Sequence, residues 1–286
     1  MRDPAHTKSV TLLLGAALCW SLGGVLLKSV NWPPLAVGGG RGLVAALFLL
    51  AVTWRSKPFR WGWLPLATAV AYTACTLLFA AANKFTTAAN AILLQYTAPA
   101  YVALLGAWLL KERPTRADWM TIGIVFVGLA IFLYDGLRLN DLVGITLAIA
   151  SGVAFAVMIV LLRLQRDNSS LGSIILGNFL SFFIGLPAIV SAPSPDTKSI
   201  VALLLLGTVQ LGLAYLIYAR AIKHVTALEA VLIPVIEPIL NPLWVMLVLG
   251  EKPSAVALLG GAIVLGAVTW RAAASIRRPP PEALTR

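Results

Sequence analysis

The sequence has little charge: Asp, Glu, Lys and Arg make up 12% of its 286 residues, about half of what a soluble globular chain carries. It also has only two histidines and two cysteines. His6 lies in the N-terminal segment and His224 in a connector, while Cys19 and Cys75 lie inside apolar runs. A hydrolase or metalloenzyme inside a membrane needs His, Asp or Ser residues clustered at depth. We therefore expect no metal site, no cofactor and no disulfide framework, and the pattern argues against an intramembrane enzyme.

Apolar sequence fills the chain instead: 59% of the residues are hydrophobic, and the mean hydropathy is +0.90. Runs of about 20 apolar residues, each long enough to cross a bilayer, follow one another along nearly the whole length. Short connectors with polar residues or prolines separate them. The sequence predicts an all-α integral membrane protein with ten transmembrane helices. The expected spans are residues 9–29, 34–54, 62–82, 87–109, 117–135, 141–163, 171–191, 199–219, 226–249 and 254–273.

The basic residues are unequally divided between the two faces that these spans define. Of the 22 lysines and arginines, Arg41 lies within a span and sixteen fall on one face. The other face holds Lys28, Lys84, Arg138, Lys198 and Lys252. Cytoplasmic connectors carry such an excess of basic residues, so both termini are predicted to be cytoplasmic. The net charge of +11 is thereby explained by membrane orientation, and no nucleic-acid partner is expected.

Residues 82–114 occur a second time as residues 221–253, without a gap. Matching alanines and leucines would mean little in so apolar a chain, but prolines and charged residues match as well. The matched pairs include Lys84 with Lys223, Thr87 with Thr226, Ala91 with Ala230, Pro99 with Pro238, and Glu112-Arg113-Pro114 with Glu251-Lys252-Pro253. An internal repeat of this size predicts two homologous halves.

Each half contains five spans, so the two halves must enter the membrane in opposite directions. The first helices fit the same pattern, since Trp20 to Lys28 aligns with Phe155 to Arg163. Inverted repeats give a pseudo-two-fold axis in the membrane plane, which is a common plan in secondary transporters. We expect a first repeat over residues 1–138, a second, inverted repeat over 139–275, and a disordered cytoplasmic tail over 276–286.

Several motifs of the chain resemble the drug/metabolite transporter superfamily of the EamA type. They are the ten spans, Leu18-Cys19-Trp20-Ser21, Gln95-Tyr96-Thr97-Ala98-Pro99 and the paired Glu-basic-Pro ends. Within the superfamily the chain is most similar to bacterial inner-membrane exporters of aromatic and other amino acids. The resemblance implies a multi-pass carrier that exports amino acids by alternating access, surrounded by membrane lipid, and a monomer is consistent with it. Ala98 stands where such exporters carry Trp before the fourth-helix proline.

Glu237 is the deepest acid, near the middle of the ninth span, and Asn241 lies four residues on along the same helix face. Charges within a span cost about 2.5–3.5 kcal/mol on insertion scales, so this one needs a reason. Glu237 is either a site for a substrate ammonium or a proton, or a buried acid hydrogen-bonded between helices. Candidate kink or hinge positions, where a proline frees a backbone carbonyl, are Pro99, Pro234, Pro238 and Pro242.

Repeat symmetry sets Trp20 against Phe155 and Ala98 against Glu237. Positions that face the symmetry axis are the expected walls of a central cavity, although helix packing is the alternative for any single aromatic residue. The predicted substrate-binding residues are Trp20, Tyr72, Gln95, Tyr96, Ala98, Phe155, Asn178, Tyr215, Glu237 and Asn241, with Gln210 as a further candidate.

Arg41 lies about seven residues inside the second span, after three glycines. It either binds a substrate carboxylate, or extends to the outer interface or pairs with a glutamate as a structural residue. A phosphorylated substrate would need several buried Lys or Arg, and only Arg41 is available.

The leading interpretation is a carrier that exports aromatic and other neutral amino acids with broad specificity. An exporter of organic cations, drugs or other small metabolites is the alternative, because Glu237 can neutralise a cation. An intramembrane enzyme is more remote. A scaffold or receptor-like protein would explain the hydrophobicity but not the inverted repeat.

Overall fold

The computed structural model describes residues 4–56, 58–136, 141–165, 170–250 and 254–276. Within these ranges the chain forms ten helical stretches, and each begins and ends within a few residues of a predicted span, apart from longer ends on the first and eighth. They are α1 (Pro4–Ser29), α2 (Pro34–Ser56), α3 (Trp63–Phe85), α4 (Ala88–Leu110), α5 (Arg116–Gly136), α6 (Leu142–Leu164), α7 (Ser170–Val190), α8 (Thr197–His224), α9 (Ala227–Leu232 continuing through Ile236–Leu249) and α10 (Ala255–Ile276). By length and composition, eight of the described helices can each cross a bilayer. The chain is a multi-pass membrane protein.

Corresponding helices of the two halves begin in the same way. Thr87 caps α4, where its hydroxyl accepts a hydrogen bond from the backbone N–H of Asn90 at 3.1 Å. Its counterpart Thr226 caps α9 and accepts from the N–H of Glu229 at 3.1 Å, while the Glu229 carboxylate accepts from the Thr226 N–H. Each cap satisfies N–H groups that the first helical turn leaves without a partner. The repeat seen in the sequence is therefore also a repeat of local structure.

The packing of the helices follows a pseudo-two-fold exchange between α1–α5 and α6–α10. Helix α2 packs against its counterpart α7, and α5 against its counterpart α10. The contact of α3 with α6 is matched by that of α8 with α1, and α4 with α6 by α9 with α1. Five helices per half make the repeats inverted, as predicted. The expected boundary at residues 138 and 139, the second Glu-basic-Pro end at 251–253 and the tail from 277 lie outside the described residues.

Helices α2 and α7 cross closely because glycines face each other at their crossing. A Cβ atom built on Gly39 would lie 2.9 Å from the Cα of Gly185, and one built on Gly42 would lie 2.8 Å from the carbonyl oxygen of Asn178. Small residues of this kind let helix backbones approach within a membrane, where packing rather than the hydrophobic effect drives association. This crossing joins the two repeats.

Gly39→Ala is expected to destabilise the protein by about 1–3 kcal/mol, because the added methyl group meets backbone atoms that cannot move aside. The unfolding temperature of the detergent-purified protein measures this. Gly15→Ala is the matched control, since a Cβ atom on Gly15 in α1 would have nothing within 4 Å. We expect that control to melt at or above the wild-type temperature. Equal melting temperatures for the two variants would contradict the close crossing.

Side-chain contacts define two ends of the bundle. At the first, which we call the Glu112 end, Arg163 pairs with Glu112 and His6 contacts Glu229 at 3.4 Å. At the opposite end, the Lys28 end, Lys28 donates to the carbonyl of Thr86 at 3.4 Å. These groupings agree with the two faces expected from the sequence.

Candidate functional site

A small cavity lies at the centre of the bundle, between helices of both repeats. Its volume is about 30 Å³, which is room for one or two water molecules and too little for a metabolite. The lining residues are Trp20, Arg41, Cys75, Thr76, Phe79, Gln95, Phe155, Gln210, Leu211, Tyr215 and Glu237. All of these side chains are buried, so the structure shows the cavity closed from both ends.

Glu237 reaches this cavity from α9 and is only 6% exposed. The hydroxyl of Tyr96 lies 3.5 Å from its Oε2 atom and also donates to the carbonyl oxygen of Pro234 at 2.7 Å. That carbonyl is free because Pro238, four residues on, has no N–H to donate to it. Within the described ranges no lysine, arginine or histidine forms an ion pair with Glu237. The carboxyl group is thus held beside the cavity without a basic partner.

Both repeats break a helix next to the cavity. Helix α4 is interrupted at Tyr96 and Thr97, between the segments Ala88–Gln95 and Ala98–Leu105, directly before Pro99. Helix α9 is interrupted at Ile233–Val235, where Pro234 has a non-helical ψ of 26°. Discontinuous helices at equivalent positions in inverted repeats mark the binding region of many secondary transporters.

A second tyrosine satisfies another carbonyl at the break in α9. Pro234 has no N–H for the carbonyl of Ala230, and the hydroxyl of Tyr218 donates to that oxygen at 3.3 Å. The remaining prolines of this helix, Pro238 and Pro242, lie within the helical segment Ile236–Leu249. The change of direction is therefore confined to Pro234, and tyrosine hydroxyls stabilise the broken backbone on both sides of it.

Arg41 is 1% exposed and lines the cavity from α2. Its Nη1 atom donates to the side-chain oxygen of Gln210 at 3.1 Å, and its Nη2 atom donates to the carbonyl oxygen of Thr76 at 2.6 Å. Its Nε atom is buried without a hydrogen-bond partner. The arginine therefore neither extends to the interface nor pairs with a glutamate among the described residues, which corrects the structural interpretation considered from the sequence. Both of its acceptors are neutral.

A π-helical segment of α8, Leu206–Leu213, presents Gln210 and Leu211 to the cavity. Short π-helical stretches inside α-helices occur frequently at functional sites, because they rotate side chains out of the regular register. A regular helix would place these two side chains at other angles. The segment therefore accounts for the position of the Gln210 amide beside Arg41.

Aromatic rings form one wall of the cavity. The ring of Trp20 lies 6.2 Å from Phe155 and 5.1 Å from Tyr215, both edge-to-face, and Tyr72 lies 4.8 Å from Tyr215. Edge-to-face pairs at these separations are favourable. The indole Nε1 of Trp20 is buried without a hydrogen-bond partner. The wall is thus apolar with one unused N–H donor.

The structure places five of the predicted binding residues at the cavity and five behind it. Those at the cavity are Trp20, Gln95, Phe155, Tyr215 and Glu237. Those behind it are Tyr72, Tyr96, Ala98, Asn178 and Asn241, all buried.

The residues behind the cavity have packing contacts instead. Tyr72 and Asn178 hydrogen-bond to each other at 3.1 Å. Ala98 is fully buried within α4. Asn241 is fully buried with its side-chain oxygen against Gly24, where a Cβ atom could not fit.

Four residues of the lining were not among the predicted candidates: Cys75, Thr76, Phe79 and Leu211. Small, apolar and hydroxyl side chains of this kind are common throughout the chain, and no charge distinguishes these positions. One chain of hydrogen bonds links Cys75 to the predicted set, since the Gln95 amide donates to Ser151 at 2.7 Å and Ser151 donates to the Cys75 carbonyl at 3.0 Å. Repeat symmetry alone could not identify them.

A polar contact closes the bundle between the cavity and the Glu112 end. The Oε1 atom of Glu112 accepts from Arg163 Nε at 3.1 Å, and its Oε2 atom accepts from the backbone N–H of Ala227 at 2.8 Å. The same arginine donates through Nη1 to the carbonyls of Ile222 and Lys223 at 3.0 and 3.1 Å. We call this set of contacts the Arg163 latch. It joins the C-terminal ends of α4 and α6 to the last turn of α8 and the first residue of α9.

Two other features do not resemble a substrate site. In the described ranges, His, Cys, Asp and Glu side chains nowhere form a group of three able to ligate a metal ion. An open groove of about 640 Å³ is lined by Leu50, Ala51, Trp54, Pro58 and Phe59. Its side chains are apolar and Trp54 is largely exposed, which is typical of an aromatic belt at a membrane interface.

Comparison with known proteins gives consistent matches. The sequence pattern of the EamA-like transporter family matches residues 7–134 and again residues 142–271. An uncharacterized transporter of Bacillus subtilis (strain 168), YwfM, is 24% identical over 270 residues, covering 88% of this chain and 90% of the relative. An uncharacterized transporter of Archaeoglobus fulgidus is 26% identical over 282 residues, covering 92% and 96%. A solved crystal structure matches with a TM-score of 0.74 at 20% identity, covering 95% of this chain and 98% of that one, which shows a shared fold.

Proposed function

Because this chain belongs to the EamA-like transporter family, we propose that it is a bacterial inner-membrane carrier that exports neutral amino acids, including aromatic ones, by alternating access. Members of the family and both relatives are transporters, so the protein is a transporter and not an enzyme. The substrate class, the direction of transport and the cytoplasmic location of both termini are parts of the proposal.

The observation that carries the substrate class is the composition of the central cavity. A lone acid, Glu237, lies beside an aromatic wall that contains Trp20, Phe155 and Tyr215. The acid suits an ammonium group, and the rings suit apolar or aromatic side chains, with cation–π attraction as a secondary use. The amide of Gln95 offers a neutral hydrogen bond, which is weaker than an ion pair and so compatible with release.

The closed cavity fits an occluded intermediate of the transport cycle. An amino acid needs several times the roughly 30 Å³ available, so binding requires the repeats to separate at one end. The broken helices α4 and α9 are natural places for that movement, since the Thr97 N–H donates to Leu94, three residues back, and Pro234 has a non-helical ψ. Inverted repeats can exchange their conformations, which opens the same site to either side in turn.

Transport by the purified protein in liposomes tests the proposal. We expect uptake of phenylalanine, methionine and threonine, with and without an imposed pH gradient as separate arms that report proton coupling. Organic cations of similar size are the competing substrates, because Glu237 and the aromatic wall also suit them. If the liposomes accumulate organic cations or sugars and no neutral amino acid, the proposed substrate class is wrong and only the transporter fold remains.

Trp20→Ala should impair the transport of aromatic substrates more than the transport of threonine, because the substitution removes stacking area from the cavity wall. One aromatic contact is worth about 0.5–1.5 kcal/mol, so we expect the KM for phenylalanine to rise about 2- to 12-fold. Trp108→Ala is the control, since Trp108 is 76% exposed on the outside of the bundle. Equal losses for phenylalanine and threonine would show that the Trp20 ring does not stack on aromatic substrates.

A further inference from the structure

We propose that Arg41 and the indole N–H of Trp20 form a carboxylate subsite in the central cavity, opposite an ammonium subsite at Glu237. The cavity would then select zwitterions, with the amino and carboxyl groups of one substrate bound at once. This inference rests on the proposed amino-acid substrate and names the groups that recognise it.

Unused hydrogen-bond donors are the first observation. The Nε atom of Arg41 and the Nε1 atom of Trp20 are both buried without a partner, and both side chains line the same cavity. A buried donor without an acceptor is unfavourable, because it has lost its hydrogen bonds to water and no protein group replaces them. Two such donors beside one cavity indicate that an acceptor binds there during part of the cycle.

The charge of Arg41 is the second observation. Its two hydrogen-bond acceptors, the Gln210 amide oxygen and the Thr76 carbonyl oxygen, are neutral. Buried arginine is usually paired with an anion, because taking the charge out of water costs several kcal/mol. Glu237 lines the same cavity, yet no ion pair between the two is formed among the described residues. A zwitterion between them would pair both charges.

The two neutral acceptors also orient the guanidinium group. Gln210 and Thr76 each engage a different Nη atom, and every Nη atom carries two hydrogens. The Nε–H has no acceptor, and one hydrogen of each Nη atom is left over, so the guanidinium retains donors for the two oxygens of a carboxylate. Gln210 is therefore a positioning residue for Arg41.

A carboxylate fits this subsite better than a phosphate. Phosphate carries more charge and is bound by several basic residues, whereas Arg41 is the only Lys or Arg among the cavity lining residues in the described chain. Glu237 on the same cavity would repel a doubly charged anion but attract the ammonium of an amino acid. Permanent organic cations would have no partner for Arg41.

A set of three related ligands tests the inference in the purified full-length protein. Phenylalanine carries both charged groups, phenethylamine lacks the carboxylate, and 3-phenylpropionate lacks the ammonium. Binding is measured as the ligand-induced rise in melting temperature, and transport as uptake into liposomes. We expect wild type to bind phenylalanine about tenfold or more tightly than either single-charge ligand, because each buried charge pair is worth well over 1.4 kcal/mol.

The variants should separate the two subsites. Arg41→Gln should weaken the binding of phenylalanine and 3-phenylpropionate about 30-fold or more and leave phenethylamine binding unchanged. Glu237→Gln should weaken the binding of phenylalanine and phenethylamine and leave 3-phenylpropionate binding unchanged. Trp20→Phe keeps an aromatic ring but removes the N–H together with part of the indole, so binding of the two carboxylates should weaken by a few fold more than binding of phenethylamine, which reports the lost ring area alone. If Arg41→Gln is not obtained as folded protein, Arg41→Lys and Trp20→Phe are tested instead, by the ratio of 3-phenylpropionate affinity to phenethylamine affinity.

Two contrary results are distinguishable. If Arg41→Gln binds all three ligands more weakly by the same factor, or binds all three as wild type does, Arg41 is structural and the inference is overturned. If wild type binds no amino acid but does bind another class, the proposed function itself fails, which is a different result from a failure of the carboxylate subsite.

Discussion

Glu237→Gln is expected to lower amino-acid transport about 100-fold or more while the protein still inserts and folds. The substitution keeps the shape of the side chain and removes the charge that would pair with a substrate ammonium, and such a pair in a buried site is worth about 2–5 kcal/mol. Glu237 is nearly fully buried beside the cavity, so water cannot compensate for the loss. Any transport that remains should lose the pH dependence contributed by a titrating carboxyl group.

Uptake into liposomes over a pH series measures this effect. Asp196→Asn is the matched control, because Asp196 caps α8 through its bond to the Ser199 N–H at 2.8 Å and asparagine caps equally well. We expect that control to transport like wild type. Unchanged transport by Glu237→Gln across the series would return Glu237 to a packing role between helices.

Arg163→Gln is expected to open the Glu112 end of the cavity. Loss of the arginine would leave the Glu112 carboxylate and the carbonyls of Ile222 and Lys223 without their shared donor. Breaking a largely buried pair by removing one partner costs about 3–5 kcal/mol. Because Glu112 is partly exposed, water recovers some of this, and we expect the open population to rise at least tenfold or so.

The accessibility of Cys75 reports the opening, since this residue lines the cavity. In a Cys19→Ser background, a membrane-impermeant maleimide applied to the Glu112 end should react faster with the Arg163→Gln variant than with the parent protein. Arg220→Gln is the control because Arg220 is exposed at the same end. An unchanged rate in Arg163→Gln would show that the latch does not hold this end closed.

Repeat symmetry extends the latch to the other end of the bundle. Lys28 is the counterpart of Arg163. It donates to the Thr86 carbonyl directly after α3, and Arg163 donates to the carbonyls of Ile222 and Lys223 in the last turn of α8. The counterpart of Glu112 is Glu251, which lies outside the described residues. A basic side chain that binds backbone carbonyls at a helix end on both sides of the bundle suits a carrier whose two ends open alternately.

The fold could be predicted from the sequence because the constraints of a bilayer are few and strong. Apolar runs of the right length, separated by prolines and charged connectors, leave little choice of helix boundaries. The repeat could be predicted because Lys84, Pro99 and the Glu112 motif match at one offset. The close crossing of α2 and α7 was not foreseen, since it depends on which faces of the helices meet.

The cavity could be predicted only in part, for the same physical reason. Trp20 and Phe155 are related by the repeat and both face the symmetry axis, so symmetry identified them. Tyr72 and Asn178 looked equally suitable, but their mutual hydrogen bond directs them into packing. Cys75 lies in the apolar run of α3, and no charge in that run indicates that Cys75 is turned toward the cavity.

The environment of Arg41 is the clearest case of information that the sequence does not contain. Its acceptors come from α8 and α3, more than thirty residues away in each case. The π-helical segment that presents Gln210 contains no proline that would predict an irregular helix there. Whether a buried arginine is structural or faces a cavity depends on such distant partners.

Protection of Cys75 by substrate tests most directly that this cavity is the transport site. Wild-type side chains are kept except for Cys19→Ser, which leaves Cys75 as the one thiol of a chain with two cysteines. Alkylation by a permeant maleimide should proceed slowly through open states and fall about tenfold with saturating phenylalanine, as expected when ligand is at about ten times its Kd. A Cys75→Ala protein that retains Cys19 should show no protection. Alkylation of Cys75 at the same rate with and without a substrate that the liposomes transport would contradict the account.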